Sequence, residues 1–337
     1  VFWMWTAAAL CMIIKYFEIV LAIQFRTPGE TKYSFGPMNY IRAGTDTRVC
    51  AGIFALLGVF GALCMGNMAQ GSCVAAVAAF TWDLPPAAVG VLLAGGVALF
   101  VFKGIHRIAK ALEKLTPFLG AVYILGGCGV ILLHLPQLPE AFLSIFRNAF
   151  TPTAATGGFL GATVAAAFRQ GVNNGLFSNE AGIGSGGLAH GACDCKDAKQ
   201  QGLWGIVEVF LDTVIISGIS ALMILCTGVW QRNGGVSEAV NETFGLPGTI
   251  LLALLVAFFA FVSMLSWSYY GESCYVYLCG KEKTGFYRIL FVTAAFLGAV
   301  LSYDKIWTWS GILNSLMLIF NLTGLWAHRK KLKDSLY

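Results

Sequence analysis

The chain has 337 residues, of which 57% are hydrophobic and only 12% charged, with a mean hydropathy of +0.73. Soluble domains carry about 25% charged residues, so these values exclude a soluble enzyme or carrier and read as an all-α polytopic membrane protein, one transmembrane domain over residues 1–337 with the lipid bilayer as its surroundings. The formal charge of +5 has no basic face of a soluble domain to occupy, which excludes nucleic acid as a partner.

A helix needs about 20 apolar residues to cross a bilayer, which gives nine spans: 2–25, 52–80, 87–102, 117–134, 153–177, 203–230, 247–278, 287–302 and 305–326. The chain opens inside the apolar run VFWMWTAAALCMII without an initiator Met or a signal peptide, the pattern of a chain that begins mid-helix within a longer one. Lys15 and Glu18 lie three apart in the first span and read as a local structural pair. The loop 26–48 holds Arg26, Lys32, Arg42 and Arg48. Alternate loops on that side hold most of the remaining Lys and Arg, whereas the opposite side holds Arg147, Arg232 and Lys305. The positive-inside rule makes the first side, and with it the C-terminus, cytoplasmic.

The second span carries Gly66-Asn67-Met68-Ala69-Gln70-Gly71 midway. Asn67 and Gln70 are three apart and share a helical face. Two amides on one face either bond neighbouring helices or line a polar cavity. The third span is short. Residues 138–150 read as an interfacial helix, since Pro139, Glu140 and Arg147 are mixed among its apolar residues.

The fifth span is interrupted. Residues 156–192 carry Arg169, Gln170, Asn173, Asn174, Asn179, Glu180 and many glycines, which lipid cannot satisfy. Such a segment belongs inside protein or along a watery cavity, and an interrupted hydrophobic segment points to a transporter's binding site. Gly157, Gly158 and Gly161 favour an unwound turn, because glycine costs about 1 kcal/mol in a helix interior. Its freed backbone groups would hold a carboxylate, an ammonium or a sodium ion; close helix packing through small residues is the other reading. Asn179, Glu180, Gly182, Gly184 and Gly186 then form a connector and gate. No strand or Walker sequence precedes them, so they are not a phosphate loop.

In the sixth span Glu208 and Asp212 are four apart on one face. A carboxylate at this depth faces a cavity or a partner, with Arg169 expected to pair with Asp212; a cation path or inner gate is the other reading. In the seventh, Ser263 stands one turn before Trp267 and Ser266 directly before it. The ten cysteines are mostly single within apolar runs, as Cys11, Cys64, Cys128 and Cys226 are, and suit small buried residues rather than a disulfide framework. His190, Cys193 and Cys195 lack a fourth metal ligand nearby. Glu180, His190, Glu208 and Asp212 show no nucleophile–base spacing, so the chain is not read as an enzyme.

Phe2-Trp3-Met4-Trp5 matches a signature of the sodium:alanine (alanine or glycine:cation) symporter family, and the match continues in order. It includes Gly36-Pro37-Met38-x-Tyr40-Ile41, Gly66-Asn67-Met68-x-Gln70, Gly175-Leu176-Phe177-Ser178-Asn179-Glu180-Ala181-Gly182-x-Gly184-Ser185, Gln201-Gly202-Leu203-Trp204-Gly205-Ile206 and Trp267-Ser268-Tyr269-Tyr270-Gly271-Glu272. The chain resembles that family over residues 2 to 272. The resemblance implies a LeuT-type fold of two inverted five-helix repeats in a prokaryotic cell membrane. It implies cotransport of alanine, glycine or a similar small amino acid with Na⁺ as the coupling ion, and no organic cofactor. The family's glycine-rich first helix would lie upstream of Val1, so the nine spans correspond to core helices two to ten, in the orientation given by the positive charges.

The same resemblance implies site residues. Gly158, Phe159 and Gly161 form the broken helix, with Phe159 as a wall over the substrate. Asn67, Gln70 and Trp267 line the pocket. Ser263, with Ser266, ligates sodium, although Val262 stands where many relatives carry a hydroxyl. Asn179, Glu180, Glu208, Asp212 and Arg169 belong to the gate or ion path. Three further possibilities stand beside a sodium symporter: a proton-coupled amino-acid transporter, a channel, and a fragment that neither binds nor moves alanine because the absent helix supplies much of the site.

Overall fold

The computed structural model describes residues 1–27, 35–103, 106–150, 164–195 and 197–331, and the regular elements among them are helical. In chain order they are α1 (Phe2–Gln24), α2 (Pro37–Thr45), α3 (Arg48–Leu63), α4 (Ala69–Trp82), α5 (Pro86–Lys103), α6 (His106–Leu133), α7 (Leu138–Phe150), α8 (Val164–Asn179), α9 (Ser185–Gly191), α10 (Ala198–Val209), α11 (Ser217–Thr227), α12 (Val236–Cys279), α13 (Thr284–Val300) and α14 (Tyr303–Ala327). Lipid offers no partner to backbone polar groups, and a helix pairs its own. Among the described residues seven helices are long and apolar enough to cross a membrane: Phe2–Gln24, Arg48–Trp82, Thr116–Leu133, Ala198–Thr227, Val236–Cys279, Lys281–Val300 and Tyr303–Ala327. The chain is thus an all-α, multi-pass membrane protein. Its exposed large side chains, such as Leu92, Leu125 and Trp326, suit a hydrocarbon solvent.

These seven coincide with seven of the nine expected spans. The expected short third span is present as α5, of 18 residues. The fifth is described only from Val164 onward; Gly158, Phe159 and Gly161 lie outside the described residues.

Two spans are wound differently from a plain α-helix. Residues Cys64–Met68, between α3 and α4, and Phe210–Ile216, between α10 and α11, are π-helical, a winding that often marks functional positions. The first falls on the Gly66-Asn67-Met68 motif. A third departure is at Gly245 within α12, where φ is 63° and ψ −156°. Glycine tolerates that conformation, and Pro247 two residues later suits a helix start, so a new helical stretch begins where the sequence places its seventh span.

The chain divides into two compact units. One comprises Val1–Ile14, Phe118–Ala181 and Ile206–Leu252. Within it the amphipathic α7 buries Ala141, Ile145 and Ala149, four residues apart and therefore on one face, as expected of the interfacial segment. Trp3 Nε1 donates to the Ala149 carbonyl at 3.1 Å, and Phe2, Trp3 and Phe150 meet edge to face. Ala8, Cys11, Ala181 and Val209 form a buried cluster flanked by Met12, Leu176 and Val214.

The other unit comprises Lys15–Pro117, Gly182–Gly205 and Ala253–Tyr337. Here α13 packs against α5 and α4, and α14 against α2 and α3. A Cβ at Gly298 on α13 would lie 2.5 Å from Met68 Cα, so glycine lets the two backbones touch. Small residues at such crossings are how membrane helices gain packing without a hydrophobic drive.

Candidate functional site

In the second unit Glu18 is completely buried. Its carboxylate accepts backbone N–H groups of Gly182 at 3.0 Å, Gly184 at 3.3 Å and Gly187 at 2.9 Å. Asn321 Nδ2 adds a fourth hydrogen bond at 3.1 Å and also donates to the Gly182 carbonyl at 2.8 Å. Tyr40 donates to Asn321 Oδ1. Lys15, buried one turn before Glu18, brings the opposite charge, so the expected local pair is part of a larger cradle. Gly182 and Gly184 have φ of 84° and 96°, in the left-handed region that L side chains avoid. This turns the N–H groups of Gly182, Gly184 and Gly187 toward one carboxylate, each such bond to a charged group contributing about 1.5–3 kcal/mol. Burial, then the charge of Glu18, raise the Tyr40 phenol well above its usual range, which keeps it a donor to Asn321.

Two of the sequence motifs meet here. A Cβ on Gly184 would come within 2.8 Å of Pro37 Cγ, and one on Gly36 within 2.8 Å of Leu188 Cδ2. The segment beginning Gly36-Pro37 therefore packs against the glycine turn that holds Glu18.

A second polar cluster lies in the first unit. Ser178 at the end of α8 donates to Asp212 Oδ2 at 2.5 Å, and Thr213 donates to the same oxygen at 3.1 Å. Ser217 lies 3.3 Å from Ser178. A hydroxyl has a single O–H, and that of Ser178 is committed to Asp212, so Ser217 is the donor in this contact. Asn179 Nδ2 donates to Thr213 at 3.1 Å, while its Oδ1 accepts the N–H of Ala181 at 3.0 Å. Next to it Glu180 has φ 53° and ends α8.

Here two expectations are corrected. Arg169 is exposed and does not pair with Asp212, whose described hydrogen bonds go to Ser178 and Thr213. Arg169 stands nine residues before Ser178 on α8, about 13 Å of helical rise away. Glu208 and Asp212 do not share an environment either: Glu208 is exposed and Asp212 half-buried. Asp212 lies against the end of α8 through Ser178, whereas Glu208, one turn earlier, faces the surface.

The remaining expected residues sit in the second unit. Asn67 is fully buried and its Nδ2 donates to the Phe291 carbonyl on α13 at 2.6 Å, while its Oδ1 has no partner among the described residues. Gln70 is half-buried. Trp267 is 2% exposed and lies against Gly66, where a Cβ would be 2.0 Å from its Cγ. Ser263 and Ser266 are half-buried on α12. Among the described residues neither makes the bond to its own helix that Ser268 and Ser273 make. A groove of about 730 Å³ lined by Phe60, Met68, Leu297, Ile306 and Trp309 contains none of the expected residues; its apolar wall suits a hydrocarbon tail better than a charged amino acid.

Cys193 and Cys195 are joined to each other, while Cys11, Cys64, Cys128 and Cys226 are free thiols. Arg26 donates to the carbonyls of both, and His190 meets Gln201 at 2.8 Å. A guanidinium beside these atoms opposes a metal cation there.

Sequence reasoning did not single out Asn321, named Tyr40 only within a matched motif, and gave Glu18 only Lys15. A carboxylate in an apolar span was the available signal for Glu18. Its partners lie at least 164 residues away along the chain, beyond any local pattern.

Residues 1–336 match the family described as the sodium:alanine symporter family. An uncharacterized transporter of Haemophilus influenzae is 36% identical over 98% of this chain and 74% of its own length. The sodium/alanine symporter AgcS of Methanococcus maripaludis is 35% identical over 96% and 74%. The probable sodium/glutamine symporter GlnT of Bacillus subtilis is 29% identical over 98% and 70%. These relatives are longer than the chain, and they are bacterial and archaeal transporters, not enzymes.

Proposed function

We propose, for a chain that belongs to the sodium:alanine symporter family, the sodium-coupled symport of a small neutral amino acid, alanine or glycine, by alternating access. The match over residues 1–336 carries this reading, and AgcS supplies the substrate by its name. We take the nine expected spans as core helices two to ten of a LeuT-type fold, forming one transmembrane domain with a cytoplasmic C-terminus. On this reading the residues assigned to a small amino-acid substrate are Gly158, Phe159, Gly161, Asn67, Gln70 and Trp267. Ser263 and Ser266 contribute hydroxyls to sodium.

Alternating access needs a closed state that sodium and substrate stabilise together, and a part of the chain that rearranges. The turn that follows Asn179 and Glu180 is suited to gating. Its glycines adopt conformations that other residues avoid, and one carboxylate, Glu18, ties several of its N–H groups at once.

Uptake of labelled alanine, glycine and glutamine by cells expressing the protein from its natural gene tests the reading. We expect alanine or glycine uptake that falls at least tenfold when choline replaces Na⁺. Sodium-independent uptake driven by a proton gradient overturns the coupling, and preferred uptake of glutamine overturns the small-substrate pocket.

A further inference from the structure

The π-helical stretch Phe210–Ile216 has a consequence for its side chains. In an α-helix, residues five apart point about 140° away from each other. In an i→i+5 winding they stack. The Ser217 N–H donates to the Asp212 carbonyl across five residues, and both side chains reach the same hydroxyl, that of Ser178. Thr213, adjacent to Asp212, reaches the same carboxylate oxygen. The winding thus gathers three oxygen-bearing side chains of one helix around a fourth from α8.

We infer that Asp212, Ser178, Thr213 and Ser217 form a seat for a dehydrated monovalent cation. This deepens the proposed symport and rests on it for the identity of the ion, Na⁺.

The donor set is all oxygen, as a hard cation prefers. One carboxylate supplies the single negative charge that balances a monovalent ion. Oxygen ligands about 2.4 Å from an ion of this size stand about 3.4 Å from one another. The Ser178–Ser217 separation of 3.3 Å already has this value. The 2.5 Å and 3.1 Å contacts to Asp212 are closed by hydroxyl protons and need to open by less than about 1 Å. Each hydroxyl rotates its proton outward and turns a lone pair to the ion, since Ser and Thr both donate and accept. Asn179 donates to one lone pair of the Thr213 hydroxyl and leaves the other for an ion. Leu176 and Val214, close in sequence to Ser178 and Thr213, pack on the apolar cluster of Ala8, Cys11, Ala181 and Val209, and ionisable groups placed in membrane helices mark ion pathways.

The test uses the protein expressed from its natural gene and purified in detergent without amino acid. Its apparent melting temperature is followed against NaCl, KCl and choline chloride at equal ionic strength, because an ion that binds only the folded state raises it. Wild type should be stabilised by Na⁺ over K⁺ and choline. Asp212→Asn should lose the Na⁺-specific rise. Ser178→Ala and Ser217→Ala should shift the half-maximal Na⁺ concentration upward by about tenfold or more, and they carry the test if Asp212→Asn does not fold. Ser144→Ala, on α7, should behave as wild type. A cluster that is only a hydrogen-bond network predicts equal losses in Na⁺ and choline with the Na⁺-specific rise intact; that result overturns the seat. So does a wild type indifferent to Na⁺, or a Na⁺ response abolished by Ser263→Ala and untouched by Asp212→Asn. Persistence of sodium-driven alanine uptake in Asp212→Asn with an unchanged Na⁺ midpoint removes this seat and leaves the symport reading standing. An Asp212-dependent Na⁺ response in a protein that takes up neither alanine nor glycine does the reverse.

Discussion

The carboxylate of Glu18 accepts a 2.9 Å hydrogen bond from the backbone N–H of Gly187, 169 residues further along the chain. The bond joins a charged side chain inside the first membrane helix to the turn after α8. With the N–H groups of Gly182 and Gly184 and the amide of Asn321, the carboxylate accepts four hydrogen bonds, three of them from this one backbone turn.

Glu18→Gln keeps the volume and removes the charge. The amide's NH₂ would face N–H donors, and buried Lys15 would lose its nearby opposite charge. Removing one partner of a buried charged set costs about 3–5 kcal/mol. We expect a clear fall in apparent melting temperature and faster proteolysis of the segment 182–191 in Glu18→Gln. An unchanged melting temperature and digestion pattern would show that the carboxylate does not hold the turn.

The turn's glycines should fail in distinguishable ways. Gly184→Ala puts a Cβ on a residue with φ 96°, which costs about 1–2 kcal/mol from backbone conformation alone, and adds a clash 2.4 Å from Phe54 Cζ. Gly186→Ala has no positive φ but meets Lys15 Cε at 2.7 Å and Glu18 Oε1 at 2.9 Å, so its overpacking cost is about 1–3 kcal/mol. Gly95→Ala on α5 meets nothing within 4 Å and should gain up to about 1 kcal/mol of helix propensity. Thermal unfolding in detergent should rank Gly184→Ala below Gly186→Ala, and both below wild type and Gly95→Ala. Equal melting for all three variants would contradict the close approach around Glu18.

Gly66 and Trp267 form a coupled pair. A Cβ on residue 66 would be 2.0 Å from Trp267 Cγ, which no small adjustment relieves. Gly66→Ala alone should prevent accumulation of folded protein. Combined with Trp267→Ala, it should recover folding relative to the single glycine variant, because neighbours in contact are not additive. Monodisperse elution from a sizing column reads this directly. Additive damage in the double variant would mean that the two do not press on each other.

Helix existence was legible because lipid imposes one rule, long apolar stretches that pair their own backbone, and seven expected spans follow it. The helix start at Pro247 was also legible, since proline and glycine act locally. The two π-helical stretches were not: Gly66-Asn67-Met68 and Phe210–Ile216 carry no local signature separating an i→i+5 winding from an α-helix. The Glu208–Asp212 reading took spacing for environment and could not foresee that Asp212 meets Ser178 of α8. The Arg169–Asp212 pairing failed for a related reason, because opposite charges on different helices say nothing of helical depth. The importance of residues 175–187 could be read from their polarity, whereas the carboxylate that organises Gly182, Gly184 and Gly187 could not, since it comes from α1.

Glu272 closes a matched motif, and its partner explains it. Arg288 on α13 donates Nε to Glu272 Oε2 and Nη2 to Glu272 Oε1, both at 2.8 Å. The Glu272 side chain is 9% exposed and that of Arg288 29%. This two-point geometry requires the planar fork of a guanidinium. Arg288→Lys keeps the charge and offers one ammonium where two parallel donors stood, so it should cost about 1.5–3 kcal/mol, a hydrogen bond to a charged group. Arg288→Met leaves Glu272 buried without its counter-charge and should cost more, about 3–5 kcal/mol. Glu272→Gln in the Arg288→Met background removes the stranded charge and should restore part of the loss. Melting temperatures of the three variants decide between recognition by shape and by charge. If Arg288→Lys melts with wild type while Arg288→Met falls, the fork contributes nothing beyond its charge.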